Sequence, residues 1–406
     1  MLMTVEEAQE RILSHPFPKM STERLPLLQA WGRVLAEDIV SPEDVPGFTN
    51  SSMDGYAVLA SDVQQATSDH PVALRIKGTI AAGHPSPDSV KHGEAYKIMT
   101  GAPLPAGADA VIQSEWTRRS EDNWVLALSP VKPGQNVRRQ GQDIHRGDKV
   151  LEAGLVVKAP IVGILATIAR EDVLVYRKPR VAIVATGDEL IEPGEKLELG
   201  KIRNSNSYAL AAAALAAGAN PVILPPAPDT KEAISQRFSQ ASTADIILSS
   251  GGVSVGDFDW VKNVLSEEGS LDLWRVNMKP GKPVTFGTLH NRPFFGLPGN
   301  PVSALVTFEL FVRPVIRVML SVHRWQRTIL TLPLYEPFLE IHDRRHYVRS
   351  RLVQEGEKLY VWPYKKQDSA IQTSWIGAEA LMVVPENSGP YKAGDLLPVM
   401  LIPADV

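Results

Sequence analysis

Between Asp245 and Asp259 the chain passes through an apolar stretch, Ile246-Ile247-Leu248, then Ser249-Ser250-Gly251-Gly252-Val253-Ser254-Val255-Gly256, and ends on two carboxylates, Asp257 and Asp259. A buried strand, a glycine-rich turn and acids opening a helix suit a phosphate ester carried with a divalent metal. Glycines admit main-chain N–H groups close to phosphate oxygens, a helix N-terminus adds partial positive charge, and aspartates hold Mg2+ against the ligand. The loop matches neither the dinucleotide G-x-G-x-x-G pattern nor the G-x-x-x-x-G-K-[ST] phosphate loop. A ligand-free β-to-α turn explains its glycines equally well, so the other groups in the chain must decide.

Thr186-Gly187-Asp188-Glu189 follows directly on a strand predicted over Val181 to Ala185. It therefore belongs at the same carboxyl edge as the glycine loop, where open α/β sheets bind ligands. Asn204-Ser205-Asn206-Ser207 precedes an alanine-rich helix and reads as its cap, with main-chain amides able to meet a ligand. Lys279-Pro280-Gly281-Lys282-Pro283 places two lysines on a stiff loop ahead of a strand, and Gly296-Leu297-Pro298-Gly299-Asn300-Pro301 places a second rigid loop ahead of a helix. Rigid loops lower the cost of ordering around an anion. Earlier, Asn50 to Ala57, Thr100 to Pro105 and Val137 to Asp143 contribute an acid, a hydroxyl and a paired guanidinium, the last suited to oxyanions. His342 and His346 stand four apart, but no helical apolar pattern surrounds them and arginines intervene, which argues against a metal pair. Trp260 and Trp274 could stack on a flat heterocycle or simply fill core. No H-E-x-x-H motif occurs.

The elements that must position these groups read as four units. With 406 residues, 44% hydrophobic and 22% charged, the chain exceeds one ordinary core. Thr4-Val5-Glu6-Glu7 has the spacing of a capping box and predicts a helix ending near Pro16, with a second helix over Leu25 to Trp31. Residues 1–45 plus 143–178 form an N-terminal mixed α/β domain, and 46–142, with short alternating runs broken by Gly and Pro, an inserted β domain. Residues 179–326 alternate strand and helix and predict a doubly wound, mostly parallel sheet; the helix over Val302 to Met319 should break or kink at Pro314. Residues 327–406 predict a C-terminal β-barrel-like domain. The longest apolar tract, Ala209 to Ala217, is too short to span a membrane, and the first residues do not read as a signal peptide, so a cytoplasmic protein is expected. A net charge of −4 argues against nucleic acid as a partner, and the absence of cysteine excludes disulfides and thiolate chemistry.

Taken in order, Ser-x-Met-Asp-Gly-Tyr-Ala (residues 51–57), Thr-Gly-Ala-Pro, Arg-Arg-x-Gly-x-Asp, Thr-Gly-Asp-Glu-Leu, Ser-Gly-Gly-Val-Ser-x-Gly-x-x-Asp, Lys-Pro-Gly-Lys-Pro and Gly-Leu-Pro-Gly-Asn-Pro closely resemble the molybdopterin molybdenumtransferase family, of the MoeA and gephyrin C-terminal-domain type. The likeness runs from Thr4 to about Pro398. It implies a homodimer of four-domain subunits that inserts molybdenum from molybdate into adenylylated molybdopterin, releasing AMP with Mg2+. Molybdopterin adenylyltransferase and apo-molybdoenzymes are the implied transient partners. On this resemblance Glu189, Asp229, Asp257 and Asp259 handle metal and pyrophosphate, with Asp188 beside them. Gly251, Gly252, Ser254, Lys279, Lys282, Pro298, Pro301 and Ser303 line the substrate pocket, and Arg275 stands where relatives carry lysine. Asp54, Thr100 and Arg138 are the β domain's site residues, reaching a partner's cleft. Arg349 and Ser369 come from the C-terminal domain, where Asp368 replaces the glycine of a Gln-Gly-Ser turn. A left-handed backbone at 368 would accommodate aspartate only at a cost. A cofactor carrier or scaffold and the preceding adenylylation enzyme are the rival readings. The retained acids disfavour the first, and the Ser-Gly-Gly-Val-Ser-Val-Gly-Asp loop with the extra terminal domains disfavours the second.

Overall fold

In the computed structural model, which describes residues 2–86, 88–120, 123–251 and 260–402, the apolar runs in the middle of the chain are strands covered by helices on both faces. Arg180–Ala185 pairs in parallel with Asn220–Ile223 on one side and Ile246–Ser250 on the other, and Ile246–Ser250 pairs in parallel with Arg292–Leu297. Side chains alternate between two cores. Val181, Ile183, Ile246 and Leu248 face the helices Ser205–Ala217, Pro301–Thr307 and Arg313–Met319, while Ala182, Val184 and Ile247 face Lys231–Ala241 and Trp260–Glu268. Pro283–Leu289 and Gly269–Arg275 complete six strands with an antiparallel edge. His290 and Asn291, both at positive φ, form the two-residue turn from Leu289 to Arg292 that reverses the chain there.

The helical stretch after the second rigid loop is irregular one step earlier than expected. Pro301–Thr307 is α-helical, Phe308–Val312 is a π-helical turn, and Arg313–Met319 resumes the α-helix with Pro314 in its first turn. Proline at 314 cannot donate to the carbonyl of Leu310 four residues back. Gln9 supplies that hydrogen bond instead, its Nε2 donating to Leu310 O at 2.8 Å, which fastens the N-terminal helix to the central domain. That helix, Val5–Leu13, carries the expected capping box: Glu7 N donates to Thr4 Oγ1 and Thr4 N to Glu7 Oε2.

The second predicted helix does not form. Thr22–Pro26 is a strand paired antiparallel with Asp172–Tyr176, followed by turns from 27 to 32. The partner strand lies roughly 150 residues away in sequence, beyond the reach of a local periodicity reading. Residues 143–178 thus return onto strand and turn segments. Leu35, Ile39, Leu151, Val157, Leu165 and Val175 form their shared core.

Residues 46–142 contain a six-stranded sheet, in which Gly55–Val58 lies between Ala110–Gln113 and Glu94–Ile98. The C-terminal sheet is built around Arg345–Glu355, which pairs with Lys358–Pro363 and Ala380–Val384. Its edge strand is borrowed: Met278–Lys279, from the central domain, pairs in parallel with Arg345 and His346. Among the described residues, no helix is long and apolar enough to cross a membrane.

Candidate functional site

Strand ends place the first group of site residues. Gly251 follows Ile246–Ser250 with φ +92, and an added Cβ would stand 2.7 Å from Thr186 O, so the glycine loop and the Thr186-Glu189 loop touch through main chain. Thr186 N donates to Ser250 O, and Gly187 N to Ala227 O, which draws the Ala227-Asp229 segment to the same edge. Asp188 Oδ1 accepts from Asp229 N at 3.1 Å, while the Glu189 carboxylate folds back over Gly187. Asp188, Glu189 and Asp229 are exposed. Gly252, Ser254, Asp257 and Asp259 lie outside the described residues.

Asn206, within the expected cap segment, stitches the edge together: its Nδ2 donates to Ser250 Oγ at 2.9 Å and to Gly299 O at 2.7 Å. The cavity enclosed here, about 390 Å³, is lined by Thr186, Glu189, Asn206, Gly251, Pro301 and Gln372 among others. Two buried oxygens of its lining residues, Thr186 Oγ1 and Asn206 Oδ1, have no hydrogen-bond partner among the described residues. With the Glu189 carboxylate, the donor set is all hard oxygen, which fits Mg2+. Among the described residues Asp188, Glu189 and Asp229 do not converge as a closed three-ligand group. Mg2+ ordinarily takes one or two carboxylates together with substrate phosphates, so an open arrangement is consistent with it.

A second cavity of about 470 Å³ adjoins the first through Asn300 and is lined by Lys279, Lys282, Ser303, Glu340, Arg344 and Ser369 among others. The lysine loop is fixed by packing, since Gly281, at φ +106, would with a Cβ meet Thr307 Cγ2 at 2.6 Å. The C-terminal domain closes the cavity. Asn300 Nδ2 donates to Ser369 Oγ at 3.0 Å, Val302 N to Ser369 O at 3.1 Å, and Gln372 Nε2 to Ser205 Oγ at 2.8 Å. Arg349 is fully buried beneath this loop, with Nη2 donating to Asp368 O and Nε to Ser374 Oγ. Burial lowers its guanidinium to about 10, against the opposing pull of Asp368 and Glu340. Asp368 is not among the residues at positive φ, and its Oδ1 accepts from Ala370 N at 2.8 Å. The aspartate therefore caps its own turn without backbone strain.

Not every expected residue reaches these cavities. Pro298 is buried behind the second loop, and Arg275 ends the edge strand opposite Pro283. Neither is in the lining of either cavity. Trp260 packs against the second central core, and the Trp274 side chain lies outside what the structure describes. Asp54, Thr100 and Arg138 gather in the β domain. Thr100 donates through N at 2.7 Å and Oγ1 at 2.9 Å to Asp54 Oδ1, and Arg138 pairs with Asn50 on the neighbouring strand. No β-domain residue lines either cavity.

The Thr100 backbone bond, followed by its hydroxyl, holds the Asp54 carboxyl below the usual aspartate value. A depressed folded value contributes stability above the unfolded pKa and loses it as pH falls through the folded value. In a Thr100→Ala variant the Asp54 pKa, read by carbon NMR of the carboxyl, is expected to rise while remaining below that of a free aspartate, because the backbone donor persists. An unchanged value would remove the hydroxyl from the account.

His342 and His346 do not occupy a helix, yet their rings lie 4.7 Å apart, and with Glu340 they form the one convergent group of three His/Asp/Glu ligand atoms among the described residues. His346 starts the buried stretch of Arg345–Glu355, and burial, with Lys279 next, depresses it to about 3. Lys279 itself is held below the ordinary lysine value by burial, with Glu340 opposing. Sequence reasoning also passed over Asn300 and Gln372 as individual side chains. Asn300 was at least inside a quoted loop, whereas nothing around Gln372 marks it.

Fold and edge together define a doubly wound α/β protein whose parallel strands end in acidic and glycine-rich loops, elaborated by domains on either side. The family described as the MoeA N-terminal region (domain I and II) matches residues 3–169, the probable molybdopterin binding domain 182–318, and the MoeA C-terminal region (domain IV) 331–402. A molybdopterin molybdenumtransferase of Haemophilus influenzae is 36% identical over 405 residues, 98% of each chain. One from a Nostoc species is 42% identical over 304 residues, 74% of this chain and 70% of the other. The crystal structure of a molybdopterin biosynthesis moeA protein from Pyrococcus horikoshii superposes with a TM-score of 0.86 at 31% identity, covering 99% of this chain and 100% of that one. The chain belongs to the molybdopterin molybdenumtransferase family.

Proposed function

We propose that the protein transfers molybdenum from molybdate to adenylylated molybdopterin and releases AMP, a step of molybdenum cofactor biosynthesis carried out in the cytoplasm. The observation that supports this reading best is the adjoining of two cavities through Asn300, one edged by carboxylate and unpartnered oxygens, the other by Lys279 and Lys282. A pyrophosphate suits the first, where Gly251 leaves main chain accessible. The dianion suits the second. Two like unit charges at 4 Å cost about 4 kcal/mol at an effective dielectric near 20, so lysines beside the incoming anion offset the approach of one anionic substrate to another. Lys282 makes no ion pair among the described residues, and Ser303 and Ser369 add donors. Glu189 and Asp229, with Asp257 and Asp259 of the glycine-loop segment, would hold Mg2+, which would supply charge neutralisation on the pyrophosphate.

Asp54, Thr100 and Arg138 have no place in either cavity of their own chain, and the reading assigns them to the cleft of a second copy in a homodimer. Molybdopterin adenylyltransferase and apo-molybdoenzymes are the transient partners it requires, with no role for nucleic acid or membrane. The test is AMP release by the purified protein given adenylylated molybdopterin, molybdate and Mg2+, scored together with reactivation of a cofactor-free molybdoenzyme. Molybdate-dependent release that chelation by EDTA stops is the expected result. Tight cofactor binding without AMP release would replace the transferase reading with a carrier.

A further inference from the structure

Glu340 lines the lysine cavity and converges with His342 and the buried His346 in an arrangement that ordinary hydrogen bonding does not satisfy. His342 Nε2 lies 2.8 Å from Glu340 Oε2 and 2.8 Å from Lys279 Nζ, and Lys279 Nζ lies 3.7 Å from the same carboxylate oxygen. One ring nitrogen cannot accept from the ammonium and donate to the carboxylate together. If it accepts, its lone pair faces the carboxylate oxygen; if it donates, its N–H faces the ammonium. His346 sharpens the conflict. It is fully buried, both its ring nitrogens lack partners, and Nδ1 is 3.9 Å from Glu340 Oε2. An unsatisfied buried polar atom costs about 1–3 kcal/mol.

We propose that Glu340, His342 and His346 bind a divalent transition cation of the Zn2+ type, which takes the place now held by the Lys279 ammonium. Two imidazoles and one carboxylate are the donors such ions select, in contrast to the all-oxygen edge suited to Mg2+. The three ligand atoms lie within 4.8 Å of one another. Ligands at about 2.0–2.1 Å from Zn2+ in tetrahedral geometry would stand roughly 3.3 Å apart, so the group needs only to tighten. The sheet sets one ligand directly against the competitor, because His346 is the cross-strand partner of Lys279 on the borrowed strand. Opposing charge comes from Lys279, Arg344 and Arg349, with Glu340 the one facing carboxylate. Lys279 is the nearest of these and the competitor. Its departure from His342 on metal binding turns a lysine from the rim towards the cavity it already lines.

The test is Zn2+ titration of the metal-stripped full-length protein by calorimetry, with Co2+ absorption reporting coordination geometry. One equivalent per chain is expected, with the intense visible bands of four-coordinate Co2+. Affinity should fall at least tenfold in His342→Ala and in Glu340→Gln, both at accessible positions, without a change in melting temperature. Lys279→Met should bind about tenfold tighter, a gain that neither a surface histidine nor a structural defect produces. No stoichiometric Zn2+, or binding unaltered in the first two variants, overturns the proposal. The outcome is independent of the substrate reading, because each arm measures metal rather than AMP.

Discussion

Gly251→Ala is expected to lower AMP release at least about a hundredfold while leaving circular dichroism and expression near wild type. A Cβ at 251 would stand 2.7 Å from Thr186 O and 3.3 Å from Thr186 Oγ1, on a residue at φ +92. The nearer contact does not yield to a side-chain rotation, because that atom is main chain in the loop that carries Glu189. The loops must separate, and displacement of reacting groups by about 1 Å can cost on the order of a hundredfold in rate. Single-turnover AMP release is the measurement. A rate within about threefold of wild type would show that loop contact does not set the geometry of the edge.

Glu309→Ala is expected to destabilise the central domain by about 3–5 kcal/mol, the range for removing one partner of a buried ion pair. Glu309 lies on the π-helical turn and accepts from Arg327, Nε to Oε1 at 2.5 Å and Nη2 to Oε2 at 3.1 Å, while Arg313 Nε approaches to 3.4 Å. Arg313 is lowered to about 10 by burial, with Glu309 the group that favours its charge. Without the carboxylate, Arg313 and Arg327 face each other with no counter-charge. Denaturant unfolding of the purified variant checks the figure, and a loss below about 1 kcal/mol would mean that water reaches the pair. Glu309→Gln should recover part of the loss by retaining a hydrogen-bond acceptor.

What sequence could reveal follows from the range of the forces involved. The strand from Arg180, the helix from Ser205 and the capped helix at Val5 are locally determined, by apolar runs, alanine content and the Thr4-Glu7 box, and they stand where they were expected. Thr22–Pro26 was misread because its partner, Asp172–Tyr176, is distant in the chain. The irregularity expected at Pro314 spreads upstream because the missing donor affects the turn before it, and a side chain from the N-terminal helix completes it. At the site, motifs identified Glu189, Gly251, Lys279 and Lys282 by position. They could not reveal that Asn206 binds two loops at once, or that Glu340 meets His342 together with His346 of a strand. Those are properties of side chains brought together by tertiary pairing, and spacing along the chain carries no trace of them.

The borrowed strand Met278–Lys279 makes the chain's last sheet and its central sheet mechanically one lever. Lys279 is a rung of the C-terminal ladder, and its loop ends at Pro283 in the central one. A rotation of the C-terminal domain therefore cannot open the cleft and leave the lysine behind. Movement there is transmitted as a change in where the positive charge stands, so the domain that closes the lysine cavity also sets the direction of its charge.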